Sequence, residues 1–211
     1  MQEIDFNAVE REVAAFVTNM YESPDKPHYP YHNLTHTQRV VTYAKEIAAH
    51  YELNTINTFT VSVAAWFHDV GHQNGPMPGH EARGVAIMEA HLHSLPTTTP
   101  PPERLTPPEI ITAIARCILA TKFPSHPADL LEQLICDADT YHLGTDLFRQ
   151  TDPLVKKEVQ LRTGMVPAEA EWTRKTLSLL KQHTFFTDYC QKKLNEKKQQ
   201  NIAWLESQLT S

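Results

Sequence analysis

The chain has 211 residues, of which 41% are hydrophobic, with 25 acidic and 19 basic side chains and a formal net charge of -6. This acidic balance argues against a dedicated nucleic-acid binder, which would carry a basic patch or stripe. No stretch approaches the ~20 apolar residues of a membrane span, so we expect no membrane partner. Three cysteines without a CxxC pair favour a reduced, cytoplasmic setting.

Apolar residues recur at helical spacing along most of the chain, and no convincing strand alternation occurs. The pattern predicts an all-α fold, a single-domain helical bundle over residues 1–211. A proline-rich stretch at 95–108 excludes regular structure there, and we interpret it as a surface excursion within that domain. The predicted helices cover 5–20, 31–51, 56–70, 81–95, 108–121, 127–143, 154–162, 167–183 and 185–209.

The segment around His68 and Asp69 carries the first chemical indication. Apolar residues at steps of three and four form one stripe before it, so the helix that delivers the pair is buried. Gly71 fits the left-handed position that ends many helices, which predicts the pair in the last helical turn. Burying an unpaired carboxylate is costly, and a metal cation would compensate for it. A satisfied polar pair at a helix end is the alternative.

Two further segments carry candidate ligands. His32 and His36 are four residues apart, so a helix would place both on one face. Asp137 and Asp139 lie at the end of an apolar helix, and Asp139 follows Asp69 by 70 residues. Imidazoles and carboxylates without thiolates suit Mn, Fe, Zn, Ni, Co or Mg rather than a structural zinc site. If one ion binds residues on both sides of the proline-rich stretch, that stretch is a loop inside one domain.

The order His, His-Asp, Asp on separate helices resembles the HD superfamily of metal-dependent phosphohydrolases. The matching segments are YHNLTH, WFHDVGH, GHEARG, ILATK and CDADTYHLG, which span residues 31–144. The resemblance implies an HD-domain or phosphodiesterase-like bundle with its core at about 31–144. Residues 145–211 carry no chemistry that the sequence reveals. They complete the bundle, cover the pocket or pair two chains into a homodimer.

The resemblance also implies a metal site and a reaction. Its metal ligands would be His36, His68, Asp69 and Asp139, holding one or two divalent ions. Asp139 is chosen over Asp137 because the last ligand of the family usually follows a small residue, and Asp137 would then orient a ligand or a water. The implied reaction is hydrolysis of a small-molecule phosphate ester, such as a nucleotide, by metal-activated water.

Four other residues receive roles from the same resemblance. YHNLTH is similar to the His-Asn-x-x-His segment of the cyclic nucleotide phosphodiesterases, which implies that His32 protonates the leaving group. A histidine that only supports the ligand helix is the alternative. His80 is a second candidate acid or a ligand of a second ion. Glu81 would position the attacking water, and Lys122 would contact a phosphate or stabilise a helix end.

Two other functions stay open. A di-iron oxygenase of the HD fold needs six ligands, and His36, His68, Asp69, His80 and Asp139 supply five. A non-catalytic regulatory module that binds a metal or a nucleotide would keep the fold without the chemistry. Phosphate-ester hydrolysis is the leading interpretation because all four core ligands are present.

Overall fold

The computed structural model describes residues 5–95 and 107–210, so most of the proline-rich stretch lies outside the described residues. The described part forms nine α-helices and no strand, which confirms the predicted all-α fold. None of these helices is long and apolar enough to cross a membrane. Helices α1 to α9 span Phe6–Glu22, Leu34–His50, Thr55–Phe67, His80–Ser94, Pro108–Ala120, Leu130–Thr140, Phe148–Thr163, Glu169–Gln182 and Asp188–Thr210, with 3-10 turns at Val70–Asn74 and Tyr141–Gly144.

Helix α3 lies at the centre of the bundle. Every residue from Phe59 to Phe67 is buried, and the helix packs against α1, α2, α5 and α6. Burial on all sides fits a sequence in which small and apolar residues cover the whole helix circumference. Because α3 is packed from every direction, the two residues that follow it, His68 and Asp69, are held in a fixed position deep in the fold.

The start of α2 differs from the prediction. The helix begins at Leu34 and not near Tyr31, because the side-chain oxygen of Asn33 accepts a hydrogen bond from the backbone N–H of His36 at 3.1 Å. Such a cap satisfies one of the free N–H groups at a helix start. His32 therefore lies outside α2, and the prediction that it shares a helix face with His36 is wrong.

The end of α3 also differs from the prediction. The helix ends at Phe67, so His68 and Asp69 lie in the connection to the following 3-10 turn rather than in the last helical turn. The left-handed conformation predicted for Gly71 is wrong, since its φ is not positive. A Cβ at this position would lie 1.9 Å from the carbonyl oxygen of His80. The glycine is needed because α4 approaches the turn closely.

The C-terminal helices pack over one end of the bundle. Helix α7 begins at Phe148, before the predicted start at 154, and carries Pro153 in its second turn. Helix α9 packs against α8 and against the 3-10 turn after α6. A Cβ on Gly144 would lie 2.5 Å from Leu194 Cβ, so this glycine permits the approach of α9.

Candidate metal centre

Four side chains converge at one point between α2, the residues after α3, and α6. His36 Nε2 lies 3.3 Å from Asp69 Oδ2 and 3.2 Å from Asp139 Oδ1. His68 Nε2 lies 3.2 Å and 3.5 Å from the same two oxygens, and 3.4 Å from His36 Nε2. Ligand atoms about 2.1 Å from an ion are about 3.0 to 3.4 Å apart in octahedral or tetrahedral geometry. The observed spacings therefore fit one cation.

Hydrogen bonding prepares these atoms for a cation. His68 Nδ1 lies 2.8 Å from the carbonyl oxygen of Ala65. A carbonyl only accepts, so Nδ1 carries the proton and Nε2 presents its lone pair to the other ligands. Asp69 Oδ2 is buried, and within the described residues it has close neighbours but no hydrogen bond of acceptable geometry. A buried carboxylate oxygen without a hydrogen bond, facing an imidazole lone pair, fits a bound metal ion.

The two carboxylates make this centre attractive to positive charge. Burial alone would raise the pKa of Asp69, but His68 and His32 hold it well below its usual value. Burial also opposes ionisation of Asp139, and the adjacent imidazoles of His36 and His68 keep its pKa low. Burial would lower the pKa of both histidines, and the two carboxylates raise it instead. The lowered pKa values favour the ionised form of both carboxylates, and two such charges would balance one divalent cation.

His32 borders this centre and is held by Glu158 on α7. The fully buried Glu158 carboxylate accepts hydrogen bonds from His32 Nδ1 at 2.7 Å and from the backbone N–H groups of His32 and Tyr31 at 2.9 and 3.1 Å. Arg162 donates a further bond at 3.1 Å. Burial would raise the pKa of Glu158, but His32 lowers it to about 2. The ionised carboxylate keeps a proton on Nδ1, so His32 Nε2 takes no part in this hydrogen bond.

His72 and His80 lie beside the other oxygen of Asp69. Their Nε2 atoms are 3.7 and 3.5 Å from Asp69 Oδ1. Arg162 lies 2.9 Å from His72 Nδ1 and can only donate, so His72 Nε2 carries the proton. Burial lowers the pKa of His72 to about 3, which keeps this neutral form. His32, Asp69 and His72 are close enough to one another to hold a second ion. His72 cannot be a ligand in such a site, because its Nε2 carries a proton and has no lone pair for a metal.

The two aspartates of the CDAD segment face different neighbours. Asp139 joins the candidate ligands, as described above. The Asp137 carboxylate instead accepts hydrogen bonds from the backbone N–H groups of Phe186 and Thr187, both at 2.8 Å, and from the Thr187 hydroxyl at 2.6 Å. It therefore anchors the segment that leads into α9, and the expectation that it orients a metal ligand is not met by this geometry.

Glu81 and Lys122 lie at the periphery of the centre. Glu81 is buried at the start of α4, where its Oε2 is 3.7 Å from His80 Nδ1. Lys122 is exposed just beyond α5. The role of Glu81 in placing a water and the phosphate contact of Lys122 stay predictions.

An all-α fold with a buried His/His-Asp/Asp cluster defines the class of metal-dependent HD proteins. The family model described as HD domain matches residues 33–144, more than half of the chain, and the chain belongs to this family. HD-domain proteins are mostly metal-dependent hydrolases, and HD domains bind divalent metals. Neither the curated proteins nor the solved structures contain a significant match.

Proposed function

We propose that this protein hydrolyses a small-molecule phosphate ester with the help of one divalent metal ion. The observation that carries the proposal is the convergence of His36, His68, Asp69 and Asp139, whose ligand atoms are 3.2 to 3.5 Å apart in the measured pairs. Membership of a family composed mostly of metal-dependent hydrolases supports the same reaction class.

In this proposal the four ligands hold the ion, and other side chains handle protons. When bound, a divalent cation polarises phosphoryl oxygens and makes a water more acidic at neutral pH. The Nδ1–H of His68 stays bonded to Ala65, which fixes the ring for binding through Nε2. His72 Nε2 lies 3.7 Å from Asp69 Oδ1, beyond hydrogen-bond distance, so His72 is a neutral neighbour of the ligands in this scheme.

His32 is the proposed general acid. Its protonated form donates from Nδ1 to Glu158 and releases the Nε2 proton to the leaving oxygen. Glu158 does not meet the substrate in this scheme. It is a positioning residue that maintains the ring orientation through its hydrogen bond to Nδ1. His80 is the second candidate acid, because its Nδ1 donates to the Met77 carbonyl oxygen at 3.0 Å and its Nε2 faces the site.

The test combines metal analysis with a substrate screen. The purified protein is assayed on phosphomonoesters, phosphodiesters and nucleotides with Mn, Co, Ni and Mg, and its metal content is measured. We expect turnover with about one metal per chain, lost in Asp69→Asn while the circular dichroism spectrum stays helical. The matched control Asp146→Asn changes an exposed aspartate that pairs with Lys197 and should keep both metal and turnover. Normal turnover by Asp69→Asn would contradict the proposal.

The same measurements separate the two other candidate functions. Two irons per chain together with oxygen consumption would identify an oxygenase. Bound metal without turnover of any phosphate ester would identify a regulatory module.

A further inference from the structure

A cavity of about 300 Å³ lies beside the metal centre. Its lining includes His32 and Asp139, so it adjoins both the proposed acid and one of the candidate metal ligands. Much of the remaining wall comes from α7 and α8, which lie beyond residue 144, where the family match ends. The cavity is therefore formed in large part by a region of this chain that the HD family match does not cover.

The wall of the cavity is mainly apolar. Phe148 and Val155 of α7 face Trp172, Leu179 and Leu180 of α8 across it. Aromatic and aliphatic walls bind a ring or an alkyl group by removing apolar surface from water. The volume is at the lower end of the roughly 300 to 1,000 Å³ typical of small-molecule sites. It suits one substituted ring better than a nucleoside polyphosphate.

Away from the metal centre, the carboxylate of Asp152 lies in this mainly apolar lining. Asp152 accepts hydrogen bonds from Trp172 Nε1, which is 3.0 Å from both of its oxygens, and from Thr176 Oγ1 at 3.0 Å. Among the described residues no cation forms an ion pair with Asp152. Lys156, which acts on it at longer range, is paired with Glu169, and Lys175, which also lines the cavity, is paired with Glu171. A carboxylate has about four acceptor positions. Asp152 therefore keeps lone pairs for a donor that enters the cavity.

We propose that this cavity binds the organic part of the substrate, a ring-sized apolar group that carries an N–H donor for Asp152. The inference rests on the proposed hydrolysis: the phosphate would lie at the metal centre, the leaving oxygen beside His32, and the ring between α7 and α8. A cationic amine and a neutral amide share the N–H donor.

The first arm of the test compares three phosphate esters of one ring: 4-nitrophenyl, 4-(aminomethyl)phenyl and 4-carbamoylphenyl phosphate. Asp152→Asn should lower kcat/KM for the aminomethyl ester at least about 10-fold more than for the nitrophenyl ester, because it removes a charge-assisted hydrogen bond. If the carbamoyl ester shows the same additional loss of kcat/KM as the aminomethyl ester, Asp152 recognises N–H donors in general. If only the aminomethyl ester shows the additional loss, Asp152 recognises a cation. Equal effects on all three esters overturn the proposal. Asp146→Asn is the matched control.

The second arm measures binding without hydrolysis. Free 4-(aminomethyl)phenol is followed by saturation-transfer NMR on the wild type and on two variants. Leu179→Trp fills the cavity from α8, whereas Leu161→Trp adds the same ring at an exposed position on α7 that does not line it. We expect the wild type and Leu161→Trp to bind and Leu179→Trp to lose binding.

The two arms distinguish failure of the cavity proposal from failure of the proposed function. Binding that Leu179→Trp abolishes, in a protein that cleaves no phosphate ester, would leave the cavity proposal standing and remove the hydrolase. Ester cleavage with the same ligand binding in both tryptophan variants would leave the hydrolase standing and remove the cavity as its subsite.

Discussion

Glu158→Gln is the most informative single substitution because it removes a charge and almost no volume. The pKa of this carboxyl is about 2, against an ordinary value of 4.5. A shift of that size corresponds to about 3 kcal/mol of stability at pH 7. We therefore expect the free energy of unfolding in urea to fall by about that amount.

The same substitution should change catalysis in a way that depends on the leaving group. Without the carboxylate of Glu158, His32 Nδ1 loses its charged hydrogen-bond partner, so the ring is no longer held in place to deliver a proton from Nε2. General acid catalysis typically contributes about 100-fold to 10,000-fold, so kcat for an alkyl phosphate should fall by about 100-fold. A 4-nitrophenyl ester, whose leaving group needs no proton, should lose less than about fivefold. KM should change little for either substrate, because Glu158 does not contact it.

Glu132→Gln is the control for the loss of a buried glutamate. Glu132 accepts hydrogen bonds from Arg116 Nε at 2.9 Å and from the backbone N–H of Ala128 at 2.7 Å. It is buried like Glu158, but the described residues that it bonds lie outside the metal centre. Its substitution should lower stability and leave the ratio of the two ester rates unchanged. If Glu158→Gln lowers both ester rates equally, or neither, Glu158 does not act through His32.

Three further predictions concern the metal, the backbone and pH. Asp139→Asn should weaken metal binding, measured by calorimetry, at least about 100-fold, whereas Asp146→Asn should leave it unchanged. If Asp139→Asn binds the metal as tightly as the wild type, Asp139 is not a ligand. Gly71→Ala should lower the free energy of unfolding in urea by about 3 kcal/mol, because the atoms that the new Cβ would meet belong to the backbone. Gly164→Ala should cost about 1 kcal/mol, because this glycine has open space around it but a φ of +71°. A smaller loss for Gly71→Ala than for Gly164→Ala would refute the close approach of α4. The stability supplied by Glu158 is present above pH 4.5 and is lost as pH falls toward its folded pKa of about 2, so the wild type and Glu158→Gln should converge in that range.

The features that sequence predicted well depend on local spacing. Helical periodicity identified the helices because packing against one core requires an apolar stripe on each of them. The failures lie at helix ends. Asn33 caps α2 and moves His32 off the helix, and Gly71 is required by the approach of α4 rather than by its own conformation. The exact end of a helix and its close contacts depend on the elements that pack against it, which are distant in sequence. The local sequence of one helix therefore does not specify them.

Glu158 shows why the surroundings of the metal centre were harder to find than its ligands. It lies 126 residues from His32 and outside the matched family segment. In the sequence, Glu158 is one of many polar residues on a predicted helix. Its spacing of four residues from Arg162 predicts an ion pair between these two side chains and nothing more. The hydrogen bond between Glu158 and His32 forms only when α7 packs against the segment that carries His32.

Helix α7 connects the two proposals. It carries Glu158, which orients the proposed acid, and Asp152, which lies in the wall of the cavity. The separation of six residues places them nearly two helical turns apart, about 9 Å along the axis. Because both groups belong to one rigid helix, a displacement of α7 would change proton delivery and ring binding together. Substrate selection and protonation of the leaving group are therefore expected to respond jointly to substitutions in the contacts that hold α7.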